Sequence, residues 1–385
     1  MKDSRKFPRQ GGSVAVVVAI SLVVLAGFGA FAVDLGYLKW KRGQMQAAAD
    51  AGALAGAAAL LSFGSNTTKI AAEAVAYGQA NVLTTDKPGM AVRDQDVTVN
   101  TVGNGFVEVT AGLTGDRGNP VALFLGPVLG KNLADVSATA RAALYCVTNS
   151  RCLKPWVVPT KFTWNDAADS VKQYKNNGLL DTKSAPEMAS IQVQGYSASD
   201  VGTQIVLKYG DSKDTIAPGV YNPIDFPPVN KGNPIPGGAE YRTNISGCLG
   251  SSNTDVAVGD TLQMEPGNMT GPTKQGIEDL IKADPSAKWD TSTQSIVGVD
   301  SKYGPDPLNS PRVGMIAFYD PRESPSSGRD SVKVYQLGAV FIEGMDGKGD
   351  VTARFIKAMA SSPAPDPAGT CGTLYGVGLI RDSSR

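Results

Sequence analysis

The chain has 385 residues, with 36 Lys and Arg against 36 Asp and Glu, and no histidine. A balanced charge gives no electrostatic ground for binding nucleic acid. Without histidine there is no Ser-His or Cys-His pair on which to build a hydrolase, and the commonest metal ligand is missing, while carboxylate and Ser-Lys chemistry stay open.

The length suits a membrane anchor followed by about two compact domains. Abundant Gly, Pro, Ala and Ser with few aromatics point to loop-rich exported domains. Gly12 to Val33 carries no charge, and its only polar side chains are Ser13 and Ser21. As a helix this run is about 33 Å long, the thickness of a hydrocarbon core. Lys2, Arg5, Lys6 and Arg9 precede it and Lys39, Lys41 and Arg42 follow it. The short basic tail 1–11 and the downstream position of all cysteines place the N-terminus in the cytoplasm and the bulk of the chain outside. A cleaved signal peptide with Ala30-Phe31-Ala32 as its cleavage site is the competing reading, and the length of the apolar run argues against it.

From Leu35 to Leu61 the chain is rich in strong helix formers and free of proline, so one helix is expected from about Gly12 to Leu61, roughly 75 Å long. The exported extension, 34–63, carries small residues three or four apart: Ala51, Gly52, Ala55, Gly56 and Ala59. Such a face admits a second backbone at close range. Two occupants are open, the protein's own domain or another helix in an oligomer.

The Gly11-Gly12-Ser13-Val14-Ala15-Val16 opening, the apolar run, Ala32-Val33-Asp34-Leu35-Gly36, the basic patch, Gln46-Ala47-Ala48-Ala49-Asp50-Ala51 and Ala53-Leu54-Ala55-Gly56-Ala57 together resemble the N-terminal domain of TadG-like proteins of the tight-adherence (Flp) pilus system. The resemblance covers about an eighth of the chain. It implies a bacterial envelope protein anchored in the cytoplasmic membrane, serving pilus assembly or secretion, with no catalysis. Its implied partners are other pilus-assembly proteins, met through the N-terminal helix, and membrane lipid. Processed pilins of this class carry a glutamate five residues after the cleaved glycine. Val16 or Val17 stands there and the first glutamate is Glu73, so prepilin-peptidase processing is not expected. Long members of the family often add a von Willebrand A domain with a D-x-S-x-S motif. The nearest match, Asp290-Thr291-Ser292-Thr293-Gln294, lacks the second serine, and that domain is not expected.

Residues 64–145 read as a small α+β unit of the pilin-like kind. Lys69 to Val82 has helical periodicity with Ile70, Ala74, Tyr77 and Val82 apolar. Val97 to Val99 and Phe106 to Val109 alternate about Gly103-Asn104-Gly105, a hairpin signal. Val121 to Leu129 predicts a short helix or apolar turn, and Val136 to Ala142 a returning strand. Residues 146–385 read as a β-rich domain with long loops, with strands at Ile191–Val193, Gln204–Tyr209, Val313–Tyr319 and Val332–Glu343 and one helix at Gly276–Ala283. The fold class expected is α+β: a long membrane-spanning helix, a small α+β unit, then the β-rich domain.

The four cysteines, Cys146, Cys152, Cys248 and Cys371, are even in number and lie in an exported context, which predicts two disulfides. Three connectivities are possible. The arrangement favoured here is Cys146–Cys152 closing a small loop, with Cys248–Cys371 tying distant segments. A four-cysteine zinc site would show two close Cys pairs, and only one loose pair exists.

Asp346-Gly347-Lys348-Gly349-Asp350 lacks the further acidic ligands of a calcium loop and predicts a hairpin turn, and Asp211-Ser212-Lys213-Asp214 is similar. Trp156, Trp164 and Trp289 are expected to be packed rather than to bind sugar or peptide. Asn66, Asn244 and Asn268 head chance N-x-S/T matches. No catalytic, cofactor-binding or metal-ligating constellation emerges. The function expected is a non-enzymatic, membrane-anchored, minor-pilin-like or assembly subunit of a Tad-type apparatus; the alternative is an exported binding module or adhesin displayed from a membrane anchor.

Overall fold

A computed structural model describes residues 13–103, 105–166, 180–211, 220–227, 233–361, 363–366 and 371–380. The basic tail with Lys2, Arg5, Lys6 and Arg9, the hairpin residue Asn104 and the run Ser212–Asp214 lie outside the described residues. The chain divides into two compact units. One holds the described residues through Ala143 together with Leu379 and Ile380; the other is Leu144–Gly378.

The first unit is built on one 51-residue helix, α1, Ser13–Phe63, about 77 Å long at 1.5 Å per residue. The second helix, α2, is Thr67–Ala80, and the Asn66 side chain caps it by accepting from the Lys69 amide. Three antiparallel strands follow: β1, Val97–Asn100, β2, Phe106–Leu113, and β3, Val136–Cys146, in the order β1-β2-β3. In β3, side chains from Val136 to Cys146 alternate between buried and more exposed, as the period of two requires. Val107, Val109 and Ala111 of β2 turn one buried face toward the helices. Tyr77, expected on the apolar side of α2, is 56% exposed, and α2 is held instead by Ile70, Ala74, Val75 and Gly78. The segment expected as a short helix or turn is a two-strand ladder, Val121–Ala122 with Leu133–Ala134, around a single 3-10 turn, Gly126–Leu129.

The second unit carries a curled half-barrel sheet. Its strands are β4, Leu153–Pro159, β5, Gln204–Lys208, β6, Ile224–Asp225, β7, Thr261–Met264, β10, Val313–Tyr319, β11, Ser331–Met345, and β12, Val351–Ile356; β8, Lys288–Asp290, and β9, Ser295–Val297, form a separate hairpin. The 15-residue β11 is the spine, pairing antiparallel with β10, β12 and β7. β10 also pairs with β4 in parallel, β12 with β5, and β7 with β6.

Both faces of this sheet are buried. Ala317 and Tyr319 of β10 join one core with Val334, Ala339 and Phe341, whereas Ile316 and Phe318 join the other with Val340 and Ile342. Double-sided burial makes the strands read as continuous apolar runs. Two helices supply the second core: α3, Gly238–Ser246, with Tyr241 and Ile245, and α4, Thr270–Ala283, with Ile277 and Leu280. They approach closely because Gly276 has no Cβ; one placed there would lie 2.8 Å from Ile245 Cβ. α4 begins six residues before the expected start, and α3 and a short helix, Ala185–Ser190, have no counterpart in the sequence reading.

The cysteine pairing differs from the arrangement favoured above. The disulfides are Cys146–Cys371 and Cys152–Cys248, with Cα atoms 4.7 and 5.1 Å apart. The reason is strand pairing. Asn149–Ser150, between Cys146 and Cys152, is extended and pairs with Val256–Ala257, and the Cys152 amide donates to the Ser252 carbonyl, which carries Cys152 to the Cys248 segment. On the other side, the Asp366 amide donates to the Cys146 carbonyl and the Thr148 amide to Ala364, which brings the segment leading to Cys371 alongside Cys146.

Candidate membrane anchor and assembly surface

The two halves of α1 have opposite surroundings. From Val14 to Phe28 and from Phe31 to Val33 the apolar side chains are exposed: Leu25 is 65% and Phe28 70% accessible. This is the one helix among the described residues long and apolar enough to cross a membrane. Beyond it Met45, Ala48, Ala49, Ala53 and Ala57 are buried within the first unit.

The change of environment is marked by two acids. Asp34 is buried, and its carboxylate accepts from the amides of Phe124 and Leu125, the former at 2.8 Å. That fastens the loop 123–131 to α1 one residue after the apolar run. Phe124 stacks edge-on against Tyr37 with ring centroids 4.9 Å apart, yet stays 64% exposed, as Val128 does at 82%. Phe31, Leu35, Leu38, Leu123 and Leu125 line an apolar cavity of about 210 Å³ beside Lys131. Two turns further on, Lys41 is buried and donates to both oxygens of Asp86, at 2.6 and 2.7 Å, and its Nζ lies 5.0 Å from the Trp40 ring.

The small-residue face predicted to take a second backbone takes one from its own chain. A Cβ on Gly52 would sit 2.8 Å from the Ala74 carbonyl oxygen, and one on Gly56 2.7 Å from Val107 Cγ1. Ala59 is buried alongside, whereas Ala51 and Ala55 are only half-buried. The oligomer reading of Gly52 and Gly56 is therefore replaced by packing of α1 on α2 and β2. The open side of the second half of α1 holds Gly36, Trp40, Gly43 and Ala47, and no atom outside the helix comes within 4 Å of where a Cβ of Gly36 or Gly43 would be. This side was legible as Gly29, Gly36 and Gly43 at intervals of seven, two turns of helix.

In the second unit the other expectations find their places. Asp290 accepts from the Ser292 amide and hydroxyl and from the Thr293 hydroxyl, so the near-match to a metal motif is the β8–β9 turn, with Asp290 held below the usual carboxylate range by these bonds. Asp346 likewise accepts from the Lys348 and Asp350 amides in the β11–β12 turn. Trp156 is fully buried and donates to Tyr241 Oη at 2.6 Å. Trp289 packs against one core and Trp164 lies 5.3 Å from Phe162. Asp225, Asp255 and Asp260 line one cavity of about 230 Å³. Asp225 is raised to about 8 by burial and by sharing a hydrogen bond with Glu265. Among the described residues no group of three or more His, Cys, Asp or Glu is arranged to hold a metal ion.

No curated protein and no solved structure matches the chain. Residues 12–59, which are the apolar half of α1 and most of its buried half, match the family model described as "Putative Flp pilus-assembly TadE/G-like".

Proposed function

We propose that this chain is a non-enzymatic, single-pass component of a Tad/Flp-type pilus-assembly or secretion apparatus, with its N-terminus in the cytoplasm and both compact units on the outer side. The observation that carries the reading is the division of α1. Its first half exposes apolar side chains suited to lipid, its second half is the spine of a small α+β unit, and the family match ends inside that spine. Two disulfides suit an oxidising compartment and support the outward orientation. The loop carrying Phe124 and Val128, tied to α1 at Asp34, rests in the membrane interface, where an aromatic side chain and Lys131 beside apolar residues are favoured. Partners from the apparatus meet the open side of α1, at Gly36, Gly43 and Ala47, rather than the side filled by α2 and β2.

The test combines topology with cross-linking. A membrane-impermeant thiol label should reach a cysteine placed at Asn66 from outside and should not reach one placed at Ser4; the reverse pattern overturns the orientation. A photo-reactive side chain at Ala47 should capture another component of the apparatus, and loss of the protein should abolish pili or secretion. Normal pili with no capture would favour the displayed binding module instead.

A further inference from the structure

Lys208, the last residue of β5, is fully buried within the second unit. A register shift between Val206 and Lys208 skips Leu207 and pairs Lys208 with Val351 of β12. Its Nζ donates to the Tyr209 carbonyl at 2.9 Å and to Asn268 Oδ1 at 2.6 Å, with the Tyr221 ring 5.9 Å away. Among the described residues it makes no ion pair. An ammonium buried against neutral acceptors is unfavourable, and burial pushes Lys208 down to about 8, with the Asp350 charge opposing. A neutral amine has two N–H groups and one lone pair. Both N–H groups here have an acceptor, and the lone pair is unengaged.

The carboxamide opposite is equally fixed. Asn268 Nδ2 donates to the Gly210 carbonyl at 2.7 Å, and the Gly210 amide donates to Asp350 Oδ1 at 2.6 Å. Asn268 is followed by Met269, whose φ of +50° opens α4. With a C=O bond of about 1.2 Å, Asn268 Cγ lies within about 3.8 Å of the amine nitrogen. Attack requires the amine to swing off Oδ1, so that its lone pair faces Cγ and the two atoms close to the roughly 3–3.5 Å at which reacting atoms meet.

We propose that Lys208 and Asn268 form a covalent modification site: an intramolecular isopeptide cross-link between the end of β5 and the start of α4. The neutral Nζ attacks Asn268 Cγ and a C–N bond forms. The Cγ–Nδ2 bond breaks, and the nitrogen leaves as ammonia, carrying one proton from Nζ. No electrons are exchanged, and no co-reactant is needed. A desolvated amine is the activated form of a lysine nucleophile, and the folded protein supplies the proximity that the unfolded chain lacks. The bond ties two segments 60 residues apart and adds a staple that reducing agents do not open, suited to an exported domain.

The test uses the full chain extracted from the envelope in detergent, denatured and reduced. Mass spectrometry should find the fragment spanning the second unit lighter than its sequence by one ammonia. Proteolysis should give a branched peptide containing both Lys208 and Asn268. Lys208→Met and Asn268→Ala should each restore the full mass. Wild-type protein of full mass, with the two residues on separate peptides, overturns the proposal. So does an ammonia deficit mapped to a peptide lacking Lys208, which marks a succinimide at some asparagine.

Discussion

Lys41 Nζ on α1 lies 2.6 Å from the Asp86 carboxylate, and both side chains are almost completely covered, at 6% and 12% accessibility. The pair pins the second half of the long helix to the segment after α2. It sits two turns beyond the apolar run, where the chain passes from lipid-suited to protein-covered surroundings.

Removing one partner leaves a buried charge without compensation, which is destabilising by about 3–5 kcal/mol. Lys41→Met and Asp86→Asn should each lower the unfolding midpoint of the first unit and its steady-state level. The double variant should recover part of the loss, because no charge is then stranded. Thermal unfolding of detergent-extracted protein measures it; additive losses in the double variant would show the two groups to be uncoupled.

The two sides of α1 should respond oppositely to leucine. Gly52→Leu and Gly56→Leu drive side chains into Ala74, Val107 and Val109. Overpacking of this kind costs about 1–3 kcal/mol, and here backbone would have to move. Both variants should be unstable and degraded. Gly43→Leu meets nothing and should keep normal protein level, with a gain of roughly 0.8 kcal/mol in helix propensity. If the open side meets partners, this variant alone should combine normal abundance with lost cross-linking and lost pili. Immunoblots of the three variants distinguish the outcomes.

Cys248→Ser should release a thiol on Cys152 and leave Cys146 and Cys371 joined. Closing a loop of 96 residues stabilises by up to about 4.7 kcal/mol in the chain-entropy model, so the variant should also unfold at a lower denaturant concentration. Thiol labelling followed by peptide mapping reads the partner directly. A free Cys371 in this variant would contradict the fold around Asn149–Ser150.

Asp225 predicts a pH dependence. Its folded value is raised to about 8, by burial first and then by Glu265, while an unfolded aspartate sits near 3.9. Between those values the folded state holds a proton that the unfolded state does not. Stability from this group is therefore full below about pH 4 and is lost as pH rises through about 8. Wild-type protein should melt lower at pH 9 than at pH 6, and Asp225→Asn should flatten that difference. An unchanged difference would place the titration elsewhere.

The long helix, the hairpin of β1 and β2, the returning β3 and the strands β10 and β11 were legible in the sequence because each is local. Apolar runs, periods of 3.6 or two and the turn residues around Gly103 lie within a few positions of one another. The turn at Asp346 was legible for the same reason, as was the expectation of two disulfides. The connectivity of those disulfides was not, because Cys146 and Cys371 meet through strand pairings between segments 225 residues apart. Nor was the occupant of the Gly52–Gly56 face: small residues state only that a backbone can come near, and the tertiary fold brought Ala74 and Val107 there. α3 was hidden because its few apolar positions, Tyr241 and Ile245, gain their meaning from the sheet beneath. Lys208 and Asn268 carry no local signal at all; a bulge in β5 and a left-handed residue before α4 set one against the other. Sequence fixes what each segment prefers alone, and the burial of one segment by another decides which preferences become sites.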